Sequence, residues 1–175
     1  MRVRMGKRQE GKVMRNIVLA RVDDRLIHGQ VVSGWLPRLR INYLMIVDDE
    51  LAGNVLMKRV LAASVPERIT FKIYSVEHAG EVLMRQPKSD RERMMLLTKT
   101  PLAFARLMDM GCEIPSVNLG GMGMHGERTP FFRNISCTDE EREVLRRMAG
   151  QGTEVFYQLV PEQKKFTAEE MGVLS

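Results

Sequence analysis

The sequence predicts a single α/β domain, built on an open and mainly parallel sheet with helices on both faces. Apolar, strand-like runs alternate with segments of helical spacing along the whole chain. Neither an internal repeat nor a long linker divides it. Its 175 residues can bury one substantial core, and its apolar and charged fractions, 44% and 28%, are those of an ordinary globular domain.

The predicted strands are the apolar or alternating runs of the sequence. YLMIVDD (43–49) is apolar up to two aspartates, whereas ITFKIYS (69–75) alternates between apolar and polar residues. In chain order, the predicted strands are 17–20, 43–49, 69–75, a run that ends near Lys99, 116–119 and 154–160.

Helices are predicted between these strands from apolar spacing and capping residues. The first runs from about 29 to 37, and the second follows from the helical spacing of apolar residues over 51–60. Ser75 and Thr100 are candidate N-caps for the next two helices, the second of which begins with a proline and ends at Gly111. Thr138 and Glu141 have the spacing of a capping box.

The positive charge of the chain is confined to its first residues. Residues 1–15 hold six of the 27 Lys and Arg and one of the 22 acids, so the remainder, with 21 of each, is neutral. We therefore predict a disordered basic leader over 1–15, a domain over 16–165 and a C-terminal tail over 166–175, and we expect no nucleic-acid partner.

The remaining composition favours a cytoplasmic protein. The chain has no apolar run long enough to span a bilayer, and its start lacks the apolar segment of a secretion signal. Cys112 and Cys137 are too far apart in sequence to form a metal or redox motif, which is typical of a reducing compartment.

The stretch ARVDDRLIHGQVV (20–32) gathers charges around one histidine after the first predicted strand. Because ligands bind outside the carboxyl ends of parallel strands, this stretch falls at the functional edge of the sheet. Asp23 or Asp24 could accept a proton from one ring nitrogen of His28. That contact would fix the tautomer and leave the other nitrogen free to attack.

The same stretch supplies groups that bind an anion. The guanidinium groups of Arg21 and Arg25 suit phosphate oxygens, and backbone N–H groups at the start of the predicted helix add donors. Together these groups indicate phosphoryl transfer through a phosphohistidine. The candidate catalytic residues are His28, Asp23, Asp24, Arg21 and Arg25, and the candidate phosphate-binding residues are Arg25, Gly29 and Gln30.

Other interpretations of these residues stay open. The acids and arginines of the stretch could simply neutralise one another. GMGMHG (121–126) has the spacing of a dinucleotide-binding motif, but ERTPFF is a poor helix start, which favours a loop that lines the same edge. His28 lacks a second histidine at ligand spacing, so we expect neither a metal nor a cofactor. His78 is predicted to lie on the surface, whereas His125 could reach a ligand.

The stretch ARVDDRLIHGQVV resembles the active-site segment of enzyme IIB of the mannose/fructose/sorbose family of the bacterial phosphoenolpyruvate-dependent sugar phosphotransferase system. The resemblance continues through three later segments and covers about residues 16–165. These segments are MIVDDELAGN (45–54), TKTPLAFARLMDMGCEIPSVNLGGM (98–122) and FYQLVPEQKK (156–165).

The resemblance implies a cytoplasmic phosphocarrier with an open, mainly parallel sheet. A phosphohistidine of a IIA partner would transfer its phosphoryl group to Nδ1 of His28, which would pass it to a sugar that enters through the membrane partners IIC and IID. Peripheral association with the inner face of the membrane follows from those partners. The sugar and a homo-oligomeric state stay open, and a regulatory phosphohistidine protein without a transport role is the main alternative.

Overall fold

The structure is a computed structural model that describes residues 15–175. A π-helical segment, Gln30–Trp35, continues directly into the first α-helix. The strands are β1 (Ile17–Asp23), β2 (Tyr43–Val47), β3 (Thr70–Tyr74), β4 (Met94–Thr98), β5 (Ser116–Gly121), β6 (Thr129–Phe132), β7 (Ile135–Cys137), β8 (Glu154–Tyr157) and β9 (Phe166–Thr167). The α-helices are α1 (Leu36–Arg38), α2 (Asp49–Gly53), α3 (Val55–Ala62), α4 (Val76–Leu83), α5 (Pro101–Asp109) and α6 (Asp139–Gly150).

The main sheet confirms the predicted fold class. Its strand order is β3-β2-β4-β1-β5-β8-β9, and every neighbouring pair up to β8 is parallel. Only the short β9 runs antiparallel, beside β8. The predicted caps also form, since Ser75 and Thr100 accept hydrogen bonds from the first turns of α4 and α5, and Thr138 makes a reciprocal capping box with Glu141.

Apolar residues cover both faces of the sheet. Successive side chains of a strand point to opposite faces, so Ala20 and Val22 of β1 join a core that α4, α5 and α6 cover. Leu19 joins a second core, which includes Trp35 of the π-helical segment and Leu51 of α2. Side chains at positions 21 and 23 share the face of Leu19, on the side of the π-helical segment.

The chain topology opens a crevice at the carboxyl ends of β1 and β4. The connection that leaves β1 runs past β4 to β2 on one face, and the connection that leaves β4 runs past β1 to β5 on the other. Ligands of open α/β sheets bind at such a switch point. The predicted charged stretch lies at this crevice.

The helix predicted over 51–60 is divided, and its second part is not a core helix. Asn54 ends α2 and caps α3 through a hydrogen bond from the N–H of Met57. Val55 and Leu56 are 64% and 70% exposed, and α3 buries none of its residues. The helical spacing was interpreted correctly as helix, but the apolar face does not point inward.

Packing continues beyond both boundaries of the predicted domain. Of the predicted leader, only Arg15 lies within the described residues, and it is buried beside Glu92. The predicted tail 166–175 packs on the domain, because it contributes β9 and buries Met171 and Val173 at 4% and 3% exposure.

Candidate active site

The site begins with a sharp turn at the end of β1. The strand continues to Asp23, past the predicted end at 20, and the turn brings the chain back over the carboxyl edge. The N–H of Leu26 donates to the carbonyl of Asp23 at 3.0 Å, and Leu26 adopts a left-handed φ of +56°. That conformation costs a leucine about 1–2 kcal/mol. The side chain of Leu26 is buried at 4% exposure, and this burial offsets the cost.

Asp23 is the centre of the site and is completely buried. Its Oδ2 accepts hydrogen bonds from Arg21 Nη2, Arg25 Nη2 and His28 Nε2, each at 2.9 Å. Its Oδ1 accepts from Nε of Arg25 at 2.9 Å and from the backbone N–H of the same residue at 3.2 Å. One carboxylate therefore orients two guanidinium groups and one imidazole.

The environment keeps Asp23 ionised. Burial alone would raise its pKa, but hydrogen bonds from His28 and Arg25 and the charge of Arg21 lower that pKa well below the ordinary value. An ionised carboxylate only accepts hydrogen bonds, so Nε2 of His28 must be the donor. This contact selects the neutral tautomer that carries its proton on Nε2 and presents the lone pair of Nδ1. The His28 side chain is 17% exposed.

Arg21 lies in β1 rather than beyond it, and protein acceptors hold its guanidinium group, so its role at a phosphate stays a prediction. Its side chain is fully buried and donates to Asn118 Oδ1 at 2.5 Å and to the carbonyls of Gln158 and Leu159 at 3.0 and 3.1 Å. A side chain at position 120 would displace Arg21, because a Cβ there would lie 2.0 Å from Cζ of the arginine. Arg21 thus acts on the site through Asp23.

Arg25 is the cation that faces solvent, with 43% of its side chain exposed. Gln30 Oε1 accepts from its Nη2 at 3.0 Å, so Asp23 and Gln30 together orient the guanidinium group. Gly29 is exposed and precedes the π-helical segment, whose first turn closes on the carbonyl of His28. Because the first N–H groups of a helix have no acceptor within the helix, phosphate binding by Gly29 and Gln30 stays a prediction for this segment.

Asp24 makes no contact with His28, so of the two predicted carboxylates only Asp23 is placed beside the imidazole. Asp24 Oδ2 instead accepts from the N–H of Gly123 at 2.6 Å and from Arg128 Nη1 at 3.3 Å. The glycine loop, residues 121–126, therefore lines the same edge of the sheet, as predicted.

The rest of that loop fits neither a nucleotide nor a metal site. The antiparallel strands β6 and β7 follow it, so the helix N-terminus that a dinucleotide motif requires is missing at this point. His125 has an exposed side chain and its Nε2 lies 3.1 Å from Arg128 Nη1, while His78 is exposed on α4. Within 15–175, His, Cys, Asp and Glu side chains form no group of three that could hold a metal ion.

Several residues of the site were missed by the sequence analysis. Asn118, Gly120 and Arg128 come from other elements, and Glu141 was recognised only as a cap. Trp35 lies on the same face, with its Nε1 donating to the carbonyl of Leu159 at 3.1 Å. A polar residue inside an apolar strand, as Asn118 is in β5, was the one signal that could have found a member of this set.

Fold and geometry define an open α/β domain with a cationic, histidine-bearing crevice at the carboxyl edge of its sheet. A sequence model of the PTS system sorbose subfamily IIB component matches residues 17–174. The chain belongs to this family, which comprises sugar-specific IIB components of the phosphotransferase system (PTS), and IIB components are phosphotransferases.

Known relatives carry several sugar names. The mannose-specific EIIAB component of Escherichia coli K12 is 34% identical over 139 residues, which are 79% of this chain and 43% of that relative. This chain thus spans less than half the length of that relative. The fructose-specific EIIB component of Bacillus subtilis 168 is 27% identical over 85% of this chain and 90% of its own length.

Solved structures agree with the fold. The crystal structure of manxB from Thermoanaerobacter tengcongensis has a TM-score of 0.81 and 30% identity, and covers 90% of this chain and 95% of its own. The IIBSor domain of the sorbose permease from Klebsiella pneumoniae has a TM-score of 0.83 at 22% identity, over 91% of this chain and 98% of its own. Within 15–175, no helix has the length and apolar character needed to cross a membrane.

Proposed function

We propose that this chain is a phosphocarrier that accepts a phosphoryl group on Nδ1 of His28 and passes it to a sugar. In the first step, the N–P bond of a phosphorylated IIA partner breaks as the Nδ1–P bond of His28 forms. In the second, a sugar hydroxyl held by IIC and IID attacks phosphorus and loses its proton to water, as the Nδ1–P bond breaks and releases His28. Asp23, Arg21 and Arg25 support these steps, with phosphate contacts from Arg25, Gly29 and Gln30, whereas Asp24 flanks the histidine from the glycine loop side.

The observation that carries this proposal is the 2.9 Å contact between His28 Nε2 and Asp23 Oδ2. It occupies one ring nitrogen as a donor and leaves the other as the nucleophile, while the negative charge of Asp23 stabilises an imidazole that becomes positively charged.

Histidine is better suited than cysteine to this role in this chain. Cys112 and Cys137 are both buried, at 5% and 0% exposure. Burial raises the pKa of the Cys137 thiol to about 12, whereas the thiolate is the nucleophilic form. His28 is accessible at the ligand-binding edge of the sheet.

The charges around His28 suit a transferring phosphoryl group. Arg21 and Arg25 pair with the single carboxylate of Asp23, which leaves one positive charge in excess. Negative charge spreads over the equatorial oxygens in a loose transition state, and guanidinium groups and backbone N–H groups stabilise it. Because Arg25 is exposed, two partners can use it in turn.

The partner set fits a chain at the cytoplasmic face of the membrane, held there peripherally by IIC and IID. The relatives are named for mannose, fructose, N-acetylgalactosamine and sorbose, so their names do not select one sugar.

Phosphorylation of the purified protein tests the proposal. Phosphoenolpyruvate, enzyme I, HPr and a IIA protein of this family should label the wild type with acid-labile, alkali-stable phosphate. His28→Ala should carry none. His78→Ala is the matched control, because its exposed imidazole lies on α4, and it should be labelled like the wild type.

Label retained in His28→Ala, or lost in His78→Ala, would contradict the assignment of His28. The regulatory alternative is separated in a second step, in which labelled protein is mixed with membranes that contain IIC and IID and a family sugar. Discharge to sugar phosphate supports the carrier, whereas label that every such membrane leaves in place supports a regulatory protein.

A further inference from the structure

A buried ion pair outside the His28 cluster joins the core to the segment between the glycine loop and β6. Arg128 and Glu141 have side chains that are 5% and 4% exposed. Nε and Nη2 of Arg128 donate to the two carboxylate oxygens of Glu141 at 2.9 and 2.7 Å. Nη2 also donates to the carbonyl of Lys99 at 3.2 Å, just after β4. A bidentate pair of this kind has a single well-defined geometry.

Glu141 lies in the first turn of α6 and is itself held by the N-cap residues of two helices. It accepts from the hydroxyl of Thr100 at 2.8 Å and from the N–H of Thr138 at 3.0 Å, the N-cap residues of α5 and α6. Hydrogen bonds from Arg128 and these N-caps oppose the effect of burial and lower the pKa of Glu141. The remaining guanidinium nitrogen, Nη1 of Arg128, is thereby held towards the active-site turn.

Nη1 of Arg128 contacts the carboxylate of Asp24, which makes no contact with His28. Nη1 lies 3.3 Å from Asp24 Oδ2, which the N–H of Gly123 also binds at 2.6 Å. Asp24 is adjacent to Asp23 in the turn that carries His28. A second, uncompensated carboxylate at this point would repel an incoming phosphoryl group.

We infer that Arg128 is a positioning residue for phosphoryl transfer, an inference that rests on the proposed function of His28. Through the rigid pair with Glu141 it holds Asp24 against the glycine loop and compensates its negative charge. The turn is thus supported from two sides, by Arg21 and Arg25 through Asp23 and by Arg128 through Asp24. Arg128 acts through Asp24 and has no catalytic role of its own.

The test replaces both members of the pair. Arg128→Gln together with Glu141→Gln avoids a buried charge that lacks its partner and keeps both side-chain shapes. In single-turnover transfer from phosphorylated IIA, the maximal rate should fall about tenfold, the effect of one uncompensated charge nearby. The IIA concentration at half-maximal rate should stay within about twofold, because the change does not remove a docking contact.

Adding Asp24→Asn to this double variant separates electrostatics from loss of structure. If Arg128 compensates Asp24, removal of that charge should recover most of the rate. If the pair only stabilises the fold, the third substitution should lower the rate further. Arg142→Gln is the control for the hairpin, since Arg142 contacts Thr129 and Pro130 instead of Asp24, and it should transfer at the wild-type rate.

A double variant that transfers at the wild-type rate would overturn the inference, as would a triple variant no faster than the double. If the double variant fails to fold by circular dichroism, Arg128→Lys decides. The lysine keeps the charge beside Asp24, so the inference requires a rate within about threefold of the wild type. The variants are compared only after the wild type has been labelled on His28. An unlabelled wild type would contradict the proposed function itself, and so the two failures are distinguished.

Discussion

Strand β1 has a cluster of ionic side chains at each end, and the two clusters differ in the ratio of cations to carboxylates. Just before the strand, Arg15 pairs with Glu92, with Nε of the arginine 2.7 Å from Oε1, and both side chains are buried. At the other end, Asp23 receives Arg21, Arg25 and His28. The first cluster has one positive charge for one carboxylate. The second has two arginines for one carboxylate, so positive charge is in excess there.

The difference separates a structural pair from a functional site. A buried pair that is balanced and bidentate has no charge left for a ligand, so Arg15 and Glu92 connect the start of β1 to the segment before β4. At Asp23 the excess positive charge lies at the crevice edge and partly in solvent. At the two ends of β1, charge balance therefore separates the two clusters, whereas burial does not.

The largest effect should come from breaking each cluster at its carboxylate. Asp23→Asn and Glu92→Gln both leave a buried arginine without its partner, so each should lower the free energy of unfolding by about 3–5 kcal/mol. Only Asp23→Asn should slow phosphoryl transfer to His28, by about 100-fold, because it removes the group that orients the imidazole. Urea unfolding and single-turnover transfer measure the two quantities.

Transfer is compared at a temperature where circular dichroism shows both variants folded. A Glu92→Gln protein that transfers as slowly as Asp23→Asn would show that the two clusters act alike, and the distinction by charge balance would be wrong.

A smaller effect is expected from moving Arg21 without changing any charge. In Gly120→Ala, the new Cβ would lie 2.0 Å from Cζ and 2.1 Å from Nη2 of Arg21, so the guanidinium group must shift. We expect a loss of about 1–3 kcal/mol in stability. Transfer should fall about tenfold, since the Asp23 carboxylate loses part of its support.

Gly150→Ala is the matched control, because it lies in α6 and no atom would be within 4 Å of its new Cβ. It should keep the wild-type transfer rate and its stability should not fall, since alanine is the better helix former. If both substitutions lowered the transfer rate and the stability equally, Arg21 would not be the residue through which Gly120→Ala acts.

The sequence predicted the individual elements of this site better than the contacts that bring them together. Local signals sufficed for the parallel sheet, the capping box at Thr138 and the charged stretch, because apolar period and cap spacing are read from neighbouring residues. The end of β1 was misplaced since Arg21 and Asp23 are charged, and charged residues indicate a loop unless their partners are known.

Those partners come from distant parts of the chain. Asn118 lies 97 residues from Arg21, and Gly123 lies 99 residues from Asp24. The same limit explains α3, whose helical spacing correctly predicted a helix but could not show that Val55 and Leu56 face outward. Pairing across the sheet and orientation of a face depend on tertiary packing, which one sequence does not reveal.

The smallest effect we predict is a change in the acid dependence of stability. The pKa of Asp23 is lowered from its ordinary 3.8, so its contribution to stability is fully present above that value. As the pH falls below 3.8 towards the lower folded value, the unfolded chain takes up the proton first and the wild type loses stability. The destabilisation caused by Asp23→Asn should therefore shrink as the pH falls below about 4.

Asp49→Asn provides the comparison. A hydrogen bond from Arg106 lowers the pKa of Asp49 as well, but about half of that side chain is exposed, with 51% accessible to solvent. Water screens exposed pairs, so the same measurement should give a much weaker pH dependence there. Urea unfolding from pH 5 to pH 3 tests both variants. A destabilisation by Asp23→Asn that stays constant on acidification would mean that the carboxylate is not held ionised by its three donors.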